Sequence, residues 1–304
     1  MRICHALPSS AAPPVALTIG NFDGVHRGHV EMLKKLRIEA TQRQLPTCAI
    51  TFENHPSTIL NPGTTPLLIC TLEQKKRLLR ESGIELLYSL PFTKELAEQT
   101  PEQFIIRLSQ SQPFDLLLLG SDATIGKNRA GTPEHMKELS RTYGFSLTYF
   151  PDITLDGQRI SSRHIRESIH SGRLVEASRL LGRPYSIAGT VIKGRGRGAD
   201  LGFHTANISV EGLCLPPLGV YAVLVHHQGH TYPAVANLGL APTVRQDATP
   251  LLEVHLLDTH IDLYHLHIEV ELKTYLRPEM RFSSLEALKA QIAKDVSTAK
   301  SLLT

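Results

Sequence analysis

The sequence has few cysteines, and their spacing excludes the structures that cysteines usually build. Four are present among 304 residues, and they are Cys4, Cys48, Cys70 and Cys214. No two are close enough for a CxxC pair or a zinc knuckle, so we expect reduced thiols. We therefore predict a cytoplasmic protein.

No apolar run in the sequence is suited to crossing a membrane. The longest uncharged stretch, residues 3–22, has the length of a span but contains prolines, serines and an asparagine. No compact apolar segment follows Arg2, as a signal peptide would require. We predict neither a signal peptide nor a transmembrane helix, and no membrane partner.

Charge of one sign is also scarce, because the formal net charge is only +3. This value permits anionic small molecules as ligands, but a duplex-binding domain usually has stronger, clustered basicity. Hydrophobic residues make up 41% and charged residues 20% of the chain, which excludes disorder, collagen and coiled coils. At roughly 100 to 200 residues per domain, this length predicts two domains.

In the first half of the chain, short apolar runs alternate with amphipathic segments. The runs are typical of buried parallel strands, and they cover residues 15–20, 46–52, 84–90, 114–120 and 145–150. Helical spacing between them, as in Leu33, Leu36 and Ala40, completes a strand–helix–strand rhythm. This rhythm predicts a doubly wound α/β domain.

In the second half the pattern changes to alternating or β-branched runs separated by turn residues. These runs predict antiparallel strands at residues 186–193, 219–225, 231–238, 251–257 and 266–274. We expect a small antiparallel β-barrel that closes with a helix from about Ser284. Gly182 and Pro184 stop the preceding helix, so we predict domains at residues 1–183 and 184–304.

The clearest candidate site follows the first strand of the parallel sheet. His26 and His29 are three residues apart at the start of a helix, so both imidazoles can face one side of its first turn. Backbone N–H groups and the helix dipole favour a phosphate there. A turn with only a structural role is the alternative, and the strand–turn–helix context disfavours it. The expected phosphate-binding residues are Gly20, Phe22, Asp23, Gly24 and Gly28.

A second polar patch opens a later helix with Ser161, Ser162 and Arg166. Serines at a helix start are most often only a cap, and exposed arginines are usually solvated. Taken with the two histidines, however, the patch favours a clamp for a polyphosphate. We therefore include these three residues among the candidate catalytic groups.

The predicted barrel carries a third group of candidates. The loop KGRGRG at 193–198 either wraps phosphates with its backbone, through Gly194, Gly196 and Gly198, or forms a solvated turn. Thr205 and Asn207 offer oxygen ligands on one side of an extended segment, a set that suits Mg²⁺.

Glu253 interrupts the apolar start of a barrel strand. A carboxylate at such a position has a partner or a function, unless it simply faces outward. These two alternatives remain open on the residue pattern alone.

The first half of the sequence resembles a known family. Residues 20–29, GNFDGVHRGH, are similar to the motif GxFDGxHxGH of the bacterial bifunctional riboflavin kinase/FAD synthetase family. Their last four residues match the HxGH of nucleotidylyltransferases. Residues 51–56, TFENHP, resemble TFxPHP with Asn54 in place of proline, and residues 161–166, SSRHIR, resemble SSTxIR.

The second half resembles the kinase part of the same family. Residues 201–207, LGFHTAN, are similar to LGFPTAN, and residues 218–221 contain GVY. Residues 235–239, VANLG, with Pro-Thr at 242–243 resemble VANIG and PT. Residues 252–255, LEVH, are similar to the family motif LEVH, and this resemblance implies that Glu253 is the catalytic base.

The resemblance implies two reactions on two domains. A nucleotidylyltransferase-like Rossmann domain would adenylylate FMN with ATP, giving FAD and pyrophosphate. The barrel would phosphorylate riboflavin with ATP and Mg²⁺. The departures from the family are Ala123 and Ile125 in place of phenylalanines, Arg163 for threonine, Ala199 for arginine and His204 for proline. They keep a monofunctional riboflavin kinase with a degenerate adenylyltransferase domain as the alternative.

The chemistry of the two reactions agrees with the residue types. The phosphate of FMN is already ionised, so adenylyl transfer needs stabilisation of charge rather than a general base. The riboflavin hydroxyl is neutral, so its phosphorylation needs a carboxylate and a metal. One half of the chain offers imidazoles and guanidiniums, and the other offers Glu253.

Two further hypotheses are weaker. A nucleic-acid-binding barrel is disfavoured because the loop at 193–197 has no aromatic residue to stack on bases. A zinc site is disfavoured because the histidines lack closed spacing with cysteine; the clusters are His226, His227 and His230, and His255, His260, His265 and His267. The oligomeric state, the metal preference and the passage of FMN between sites are left open.

Overall fold

The computed structural model describes residues 1–9, 12–192, 205–240, 250–259 and 261–303. The chain divides into two compact units. The first consists of Met1–Pro66 and Leu72–Ser161, and the second of Leu67–Thr71 and Ser162–Thr304. Among the described residues no helix is both long and apolar enough to span a membrane.

The first unit contains a six-stranded sheet in which every neighbouring pair is parallel. The strands are β1 Arg2–Cys4, β2 Val15–Ile19, β3 Thr47–Phe52, β4 Leu86–Leu90, β5 Phe114–Gly120 and β6 Ser146–Phe150. Their order is β1-β4-β3-β2-β5-β6. The five predicted strands are confirmed as β2 to β6, and β1 is an additional edge strand.

Six helices connect these strands or follow them. They are α1 Arg27–Arg43, α2 Ser57–Leu60, α3 Leu72–Glu81, α4 Lys94–Ala97, α5 Pro101–Ser111 and α6 Pro133–Tyr143. A 3₁₀ turn, Lys127–Arg129, and a hairpin of β7 Thr154–Leu155 with β8 Gln158–Arg159 complete the unit. Pro133 begins α6 after an N-cap at Thr132, a position that suits a residue without a backbone N–H.

Each face of the sheet is covered by helices. Leu17 and Leu117 pack in one cluster with residues of α5 and α6, while Ala16 and Leu116 pack in another with residues of α1 and α3. Successive residues of a strand point to opposite faces. Burial on both faces therefore explains why the strands are apolar throughout, and it confirms the doubly wound architecture.

The second unit contains a closed six-stranded barrel with two preceding helices and one following helix. Its elements among the described residues are α7 Ser162–His170, α8 Leu174–Leu181, β9 Ser186–Ile192, β10 Ala206–Ser209, β11 Gly219–His227, β12 His230–Leu240, β13 Pro250–Leu256, β14 His267–Arg277 and α9 Leu285–Leu303. The barrel order is β10-β13-β12-β11-β14-β9, with antiparallel pairs throughout. The predicted antiparallel barrel and C-terminal helix are confirmed.

Helix α9 is attached to the barrel by packing and by an ion pair. Ala299 is buried in a cluster with Val220 and Val235. The guanidinium of Arg277 donates from Nε to Oδ1 of Asp295 at 3.0 Å and from Nη2 to Oδ2 at 2.7 Å. The helix therefore covers part of the outer face of the barrel.

The compact units place α7 and α8 with the barrel, whereas the sequence assigned residues 162–183 to the first domain. Gly182 does end α8, with φ 79°, as its position before Pro184 suggested. Packing and the ability to fold independently are different properties. The boundary at Pro184 therefore remains a prediction.

Candidate active sites

The turn between β2 and α1 has an unusual backbone that is fixed by burial. Phe22, Gly24 and Val25 adopt positive φ angles of 50°, 77° and 37°. Such angles cost on the order of 1 to 3 kcal/mol for residues other than glycine and persist where the surroundings determine them. The side chains of Phe22 and Val25 are each 1% exposed in the core. The core therefore holds the turn in one shape at the carboxyl end of the sheet.

This turn brings His26 and His29 together. His26 is the N-cap of α1, and its Nδ1 accepts a hydrogen bond of 3.3 Å from the backbone N–H of His29. The two imidazole rings stack with centroids 3.7 Å apart and planes inclined by 13°. The rings of Phe22 and His29 contact each other in a T-shaped arrangement, with centroids 5.3 Å apart. The expected placement of both histidines on one side of the first helical turn is correct.

His29 is held in its neutral form by its surroundings. Its pKa lies well below the ordinary value, chiefly because burial disfavours the charged ring and further because His26 and Lys75 add positive charge. The residue retains part of its solvent exposure, but its Nδ1 is buried and has no hydrogen-bond partner among the described residues. An arriving anion would favour protonation of this ring.

The glycines beside the histidines make room for aromatic rings. A Cβ atom on Gly20 would lie 3.0 Å from Cζ of Phe22, and one on Gly28 would lie 3.2 Å from Cε1 of His26. Gly24 alone of these glycines needs a positive φ. Asp23 is buried within the same turn, with 3% exposure. The predicted phosphate-binding residues therefore all lie in the turn after β2 and the first residues of α1.

Lys75 of α3 also belongs to this edge of the sheet. Its ammonium group donates to the carbonyl oxygen of Asn21 at 3.1 Å and to that of Phe52 at 2.8 Å. Only 6% of the residue is exposed. The sequence analysis did not select Lys75, although a lysine at an otherwise apolar helical spacing with Leu72, Leu78 and Leu79 was an available signal.

Asn54 replaces the proline of the family motif and has a structural partner. Its Nδ2 donates to the carbonyl of Phe92 at 3.1 Å, and its Oδ1 accepts from the N–H of Phe92 at 2.8 Å. These two bonds join the segment after β3 to the segment after β4. Asn54 thus supplies by hydrogen bonding a local constraint that a proline would supply through its ring.

The loop after β5, where the family has phenylalanines, is held by polar contacts. Ser121 donates to Asp152 at 2.6 Å, and Arg159 pairs with Asp122 at 2.6 Å and with Asp152 at 3.1 Å. Ile125 is buried in the core. The sequence analysis did not select Arg159, which adds a guanidinium at the end of the hairpin; an arginine two residues before Ser161 was the available signal.

The patch at 161–166 lies at the division between the units. Ser161 is the last residue of the first unit, and Ser162 begins α7 in the second. Nε of Arg166 donates to the carbonyl of Leu67 at 2.7 Å. Arg163, which replaces threonine, pairs with Glu167 at 3.0 Å on the exposed side of α7. The role of Ser161, Ser162 and Arg166 at a phosphate remains a prediction.

In the barrel, three polar side chains form a row across neighbouring strands. Asn207 of β10 lies opposite Glu253 of β13, which lies opposite Asn237 of β12. Directly opposed residues project on the same face with Cβ atoms about 4.5 to 5.5 Å apart. Val220, opposite Asn237, packs in the cluster that contains Ala299 of α9. The row therefore lies on the outer face of the barrel.

Glu253 faces outward, as the simpler alternative expected, but it is not isolated. The residue is exposed by surface area, yet enough protein surrounds its carboxyl to raise its pKa by desolvation, with the charge of Glu279 adding to the effect. The carboxylate of Glu279 occupies the space that a Cβ on Gly239 would need, beside the amide of Asn237. Sequence reasoning missed Glu279 and Asn237, although Asn237 lay within a quoted motif.

The proposed metal ligands fit a hard divalent cation. Asn207 is 5% exposed, and no hydrogen bond joins its side-chain amide to the residues that the structure describes. Thr205 is exposed immediately before β10, and its spacing of two from Asn207 places both on one side of an extended chain. Amide and hydroxyl oxygens suit Mg²⁺. Gly194, Gly196, Gly198, Ala199 and His204 lie outside the described residues.

The histidines that suggested zinc have other partners where they are described. His226 contacts Glu271 at 3.1 Å and Thr231 at 3.0 Å, and His227 contacts the carbonyl of His267 at 3.1 Å. Within the described ranges, no three histidine, cysteine, aspartate or glutamate residues are grouped to hold a metal.

Comparison with known proteins assigns a class to each half of the chain. The FAD synthetase family model matches residues 9–164, and the riboflavin kinase family model matches residues 181–303. The chain therefore combines a nucleotidyltransferase with a kinase.

Curated relatives extend along nearly the whole chain. A bifunctional riboflavin kinase/FMN adenylyltransferase of Escherichia coli K12 is 38% identical, covering 99% of this chain and 96% of the relative. Proteins of the same description from Pseudomonas fluorescens and Bacillus subtilis 168 are 38% and 34% identical, covering 94% and 97% of this chain and 92% and 94% of theirs. This chain belongs to the family of bifunctional riboflavin kinases/FMN adenylyltransferases.

A solved structure from Streptococcus pneumoniae has a similar fold over 98% of both chains, with a TM-score of 0.84 and 28% sequence identity. It is described as a macrolide-efflux protein. Neither family model that matches this chain describes efflux.

Proposed function

We propose that the chain makes FMN and then FAD at two separate sites. Residues 184–304 phosphorylate riboflavin with ATP, and residues 1–183 adenylylate FMN with a second ATP and release pyrophosphate. The observation that carries this proposal is the stacked pair of His26 and His29 at the start of α1. A helix N-terminus with two imidazoles suits the phosphates of a nucleotide.

Both activities are favoured over a monofunctional kinase. The two family models together match both halves of the chain, and the relatives are named as bifunctional. The loop with Ala123 and Ile125 keeps an ordered structure through Ser121, Asp152 and Arg159. We therefore propose that the adenylyltransferase half remains active without the family's phenylalanines.

For adenylyl transfer, the ionised phosphate of FMN attacks the α-phosphorus of ATP, and pyrophosphate leaves. Negative charge grows on the phosphate oxygens, and stabilising that charge is the main task of the site. We assign this role to His26, His29 and the N-terminal N–H groups of α1. We also propose that Ser161, Ser162 and Arg166 contact the phosphates.

For riboflavin phosphorylation, we propose that Glu253 accepts the proton of the ribityl 5′-hydroxyl. Burial raises the pKa of Glu253 towards neutral pH, and a general base is most effective when its pKa lies near the pH at which the enzyme works. Asn207 and Thr205 would hold Mg²⁺, which neutralises charge on the phosphates when it is bound. Gly194, Gly196 and Gly198 are proposed to bind ATP phosphates. We further propose that the protein acts in the cytoplasm.

The test is to incubate the purified chain with riboflavin, ATP and Mg²⁺ and to separate riboflavin, FMN and FAD by chromatography. We expect FMN to appear first and FAD to follow. FMN without FAD would instead support the monofunctional kinase. The absence of both products from folded protein would contradict the proposal and revive the nucleic-acid hypothesis.

A further inference from the structure

We propose that Lys75 is a positioning residue for adenylyl transfer, holding the ends of strands β2 and β3 together beneath the turn that carries His26 and His29. This proposal rests on the assignment of adenylyl transfer to the first unit. Helix α3, which carries Lys75, lies outside the motifs that pointed to the site.

The contacts of Lys75 join two segments that are distant in sequence. Phe52 is the last residue of β3, and Asn21 lies two residues beyond the end of β2. Lys75 donates to both carbonyl oxygens, and the Asn21 carbonyl also accepts from Oγ1 of Thr51 at 3.1 Å. The peptide that begins the turn is therefore fixed from two directions. Movement of Asn21 would displace Phe22, whose ring contacts His29.

Burial of an ammonium group is costly, so a lysine at this position needs an explanation beyond packing. Leu78 and Leu79 of the same helix are buried by apolar contact alone. An apolar side chain of similar length would fill the same space without the loss of hydration that a buried charge suffers. The ammonium instead replaces water at two carbonyls and supplies positive charge beneath a candidate phosphate site.

The charge of Lys75 also reaches His29. It contributes, after burial and His26, to the lowered pKa of that ring. Besides burial, the groups that lower the pKa of His29 are the imidazole of His26 at the N-cap of α1 and the ammonium of Lys75 on α3. A neutral ring in the absence of ligand can gain a proton when anionic phosphates arrive. Lys75 thus influences both the place and the protonation of the histidine.

The main test is Lys75→Met in the full-length protein, with FAD formation measured from supplied FMN and ATP. Because displacement of reacting groups by about 1 Å can cost 10²-fold, we expect kcat to fall by roughly 10- to 100-fold, with a smaller change in KM. Lys75→Arg keeps a cation with several donors and should recover most of the loss. If Lys75→Met does not fold, Lys75→Gln removes the charge while keeping an amide donor, and it takes its place in the comparison.

Lys76→Met is the matched control, because Lys76 is the next residue of α3 and pairs only with Glu73 among its described ion pairs. Its FAD formation should stay within about two-fold of the wild-type rate, because its described hydrogen bond goes to Glu73 of the same helix and not to the carbonyls at the ends of β2 and β3. Titration of the His29 ring by NMR gives an independent readout. The neutral variant of Lys75 should raise the pKa of His29, while Lys76→Met should leave it unchanged.

Three results would overturn the proposal: wild-type FAD formation by the neutral variant, equal impairment by Lys75→Arg, or parallel loss of riboflavin phosphorylation, which would indicate general destabilisation. If the wild-type chain makes no FAD, the proposed function fails. The His29 titration then decides the role of Lys75, because an unchanged pKa in the neutral variant would contradict it.

Discussion

The two candidate sites are built in different ways. The first is local: seven of its proposed residues fall within residues 20–29, and one turn with its helix start holds them. The second is assembled across strands, since Asn207, Glu253 and Asn237 meet only through the register of β10, β13 and β12. A local site leaves a motif in the sequence, whereas a site made by strand pairing leaves scattered single residues.

The comparison predicts that the two activities can be removed separately, and the largest effect is expected at Glu253. Glu253→Gln keeps the shape but loses the base, so kcat for FMN formation should fall by roughly 10²- to 10⁴-fold. FAD formation from supplied FMN should persist, because the attacking phosphate is already ionised. Rates are measured by chromatography of the flavins. A variant that phosphorylates riboflavin at the wild-type rate would remove Glu253 from the mechanism.

The converse variant is His29→Ala, which should lower FAD formation by on the order of 10²- to 10³-fold and leave riboflavin phosphorylation near normal. The reason is that His29 lies in the first turn of α1 in the first unit, whereas the barrel belongs to the second unit and has its own core. His135→Ala, in the first turn of α6, is a control within the same unit. Loss of both activities in a folded His29→Ala protein would contradict two separate sites.

A smaller effect concerns the limits of the barrel unit. Residues 184–304 contain Thr205, Asn207 and Glu253 and should phosphorylate riboflavin when expressed alone. A fragment of residues 162–304 should show a higher Tm, because it keeps α7 and α8, whose Ser178 hydroxyl accepts from the N–H of Tyr185 at 3.3 Å. Calorimetry and the kinase assay compare the two fragments. An inactive 184–304 fragment beside an active 162–304 fragment would move the functional boundary to residue 162.

The smallest expected effect is on the pH dependence of stability. The pKa of His29 is lower in the folded than in the unfolded protein, so below about pH 6.5 the unfolded state binds more protons. Titration of His29 therefore lowers the free energy of unfolding as the pH falls, by up to about 1.4 kcal/mol per pH unit. His29→Gln should lose less stability than the wild type between pH 7.5 and 5.5 in urea unfolding. Equal losses would show that His29 titrates normally.

The fold was predictable where a strong pattern coincided with burial. Strands β2 to β6 were apolar on both faces, and the barrel strand with Ile268, Val270 and Leu272 alternated clearly. The edge strand Arg2–Cys4 has only three residues, which is too short for any period to be recognised. Strand β10 was predicted only as an extended segment, because its four residues carry equally little pattern.

Helical periodicity alone does not determine which residues are buried near helix ends. Val30 of α1 and Leu285 of α9 continue apolar stripes but are 38% and 61% exposed. Asp295, which breaks the apolar pattern, is buried because Arg277 neutralises it. Periodicity describes one helix, whereas exposure depends on how far the neighbouring element extends.

The candidate sites show the same limit. The proximity of His26 and His29 followed from helical geometry alone. Lys75 was visible only as a charge in an apolar stripe, and the closeness of Glu279 to Glu253 depends on the path of the chain after β14. Neither helical nor strand periodicity relates Glu253 to Glu279, because the two residues are 26 positions apart in the sequence.

The N-cap of α1 has a consequence for the tautomer of His26. Because Nδ1 accepts the N–H of His29, the hydrogen of the neutral ring must lie on Nε2. The backbone thus selects one of two isomers that would otherwise interconvert, and Nε2 meets its surroundings as a donor without an added proton. Protonation at Nδ1 would give the His26 ring a second N–H donor, but it would also break the hydrogen bond from the backbone N–H of His29. The first turn of the helix would then lose its cap. Capping of α1 and protonation of the His26 ring are therefore coupled, because the same nitrogen atom takes part in both.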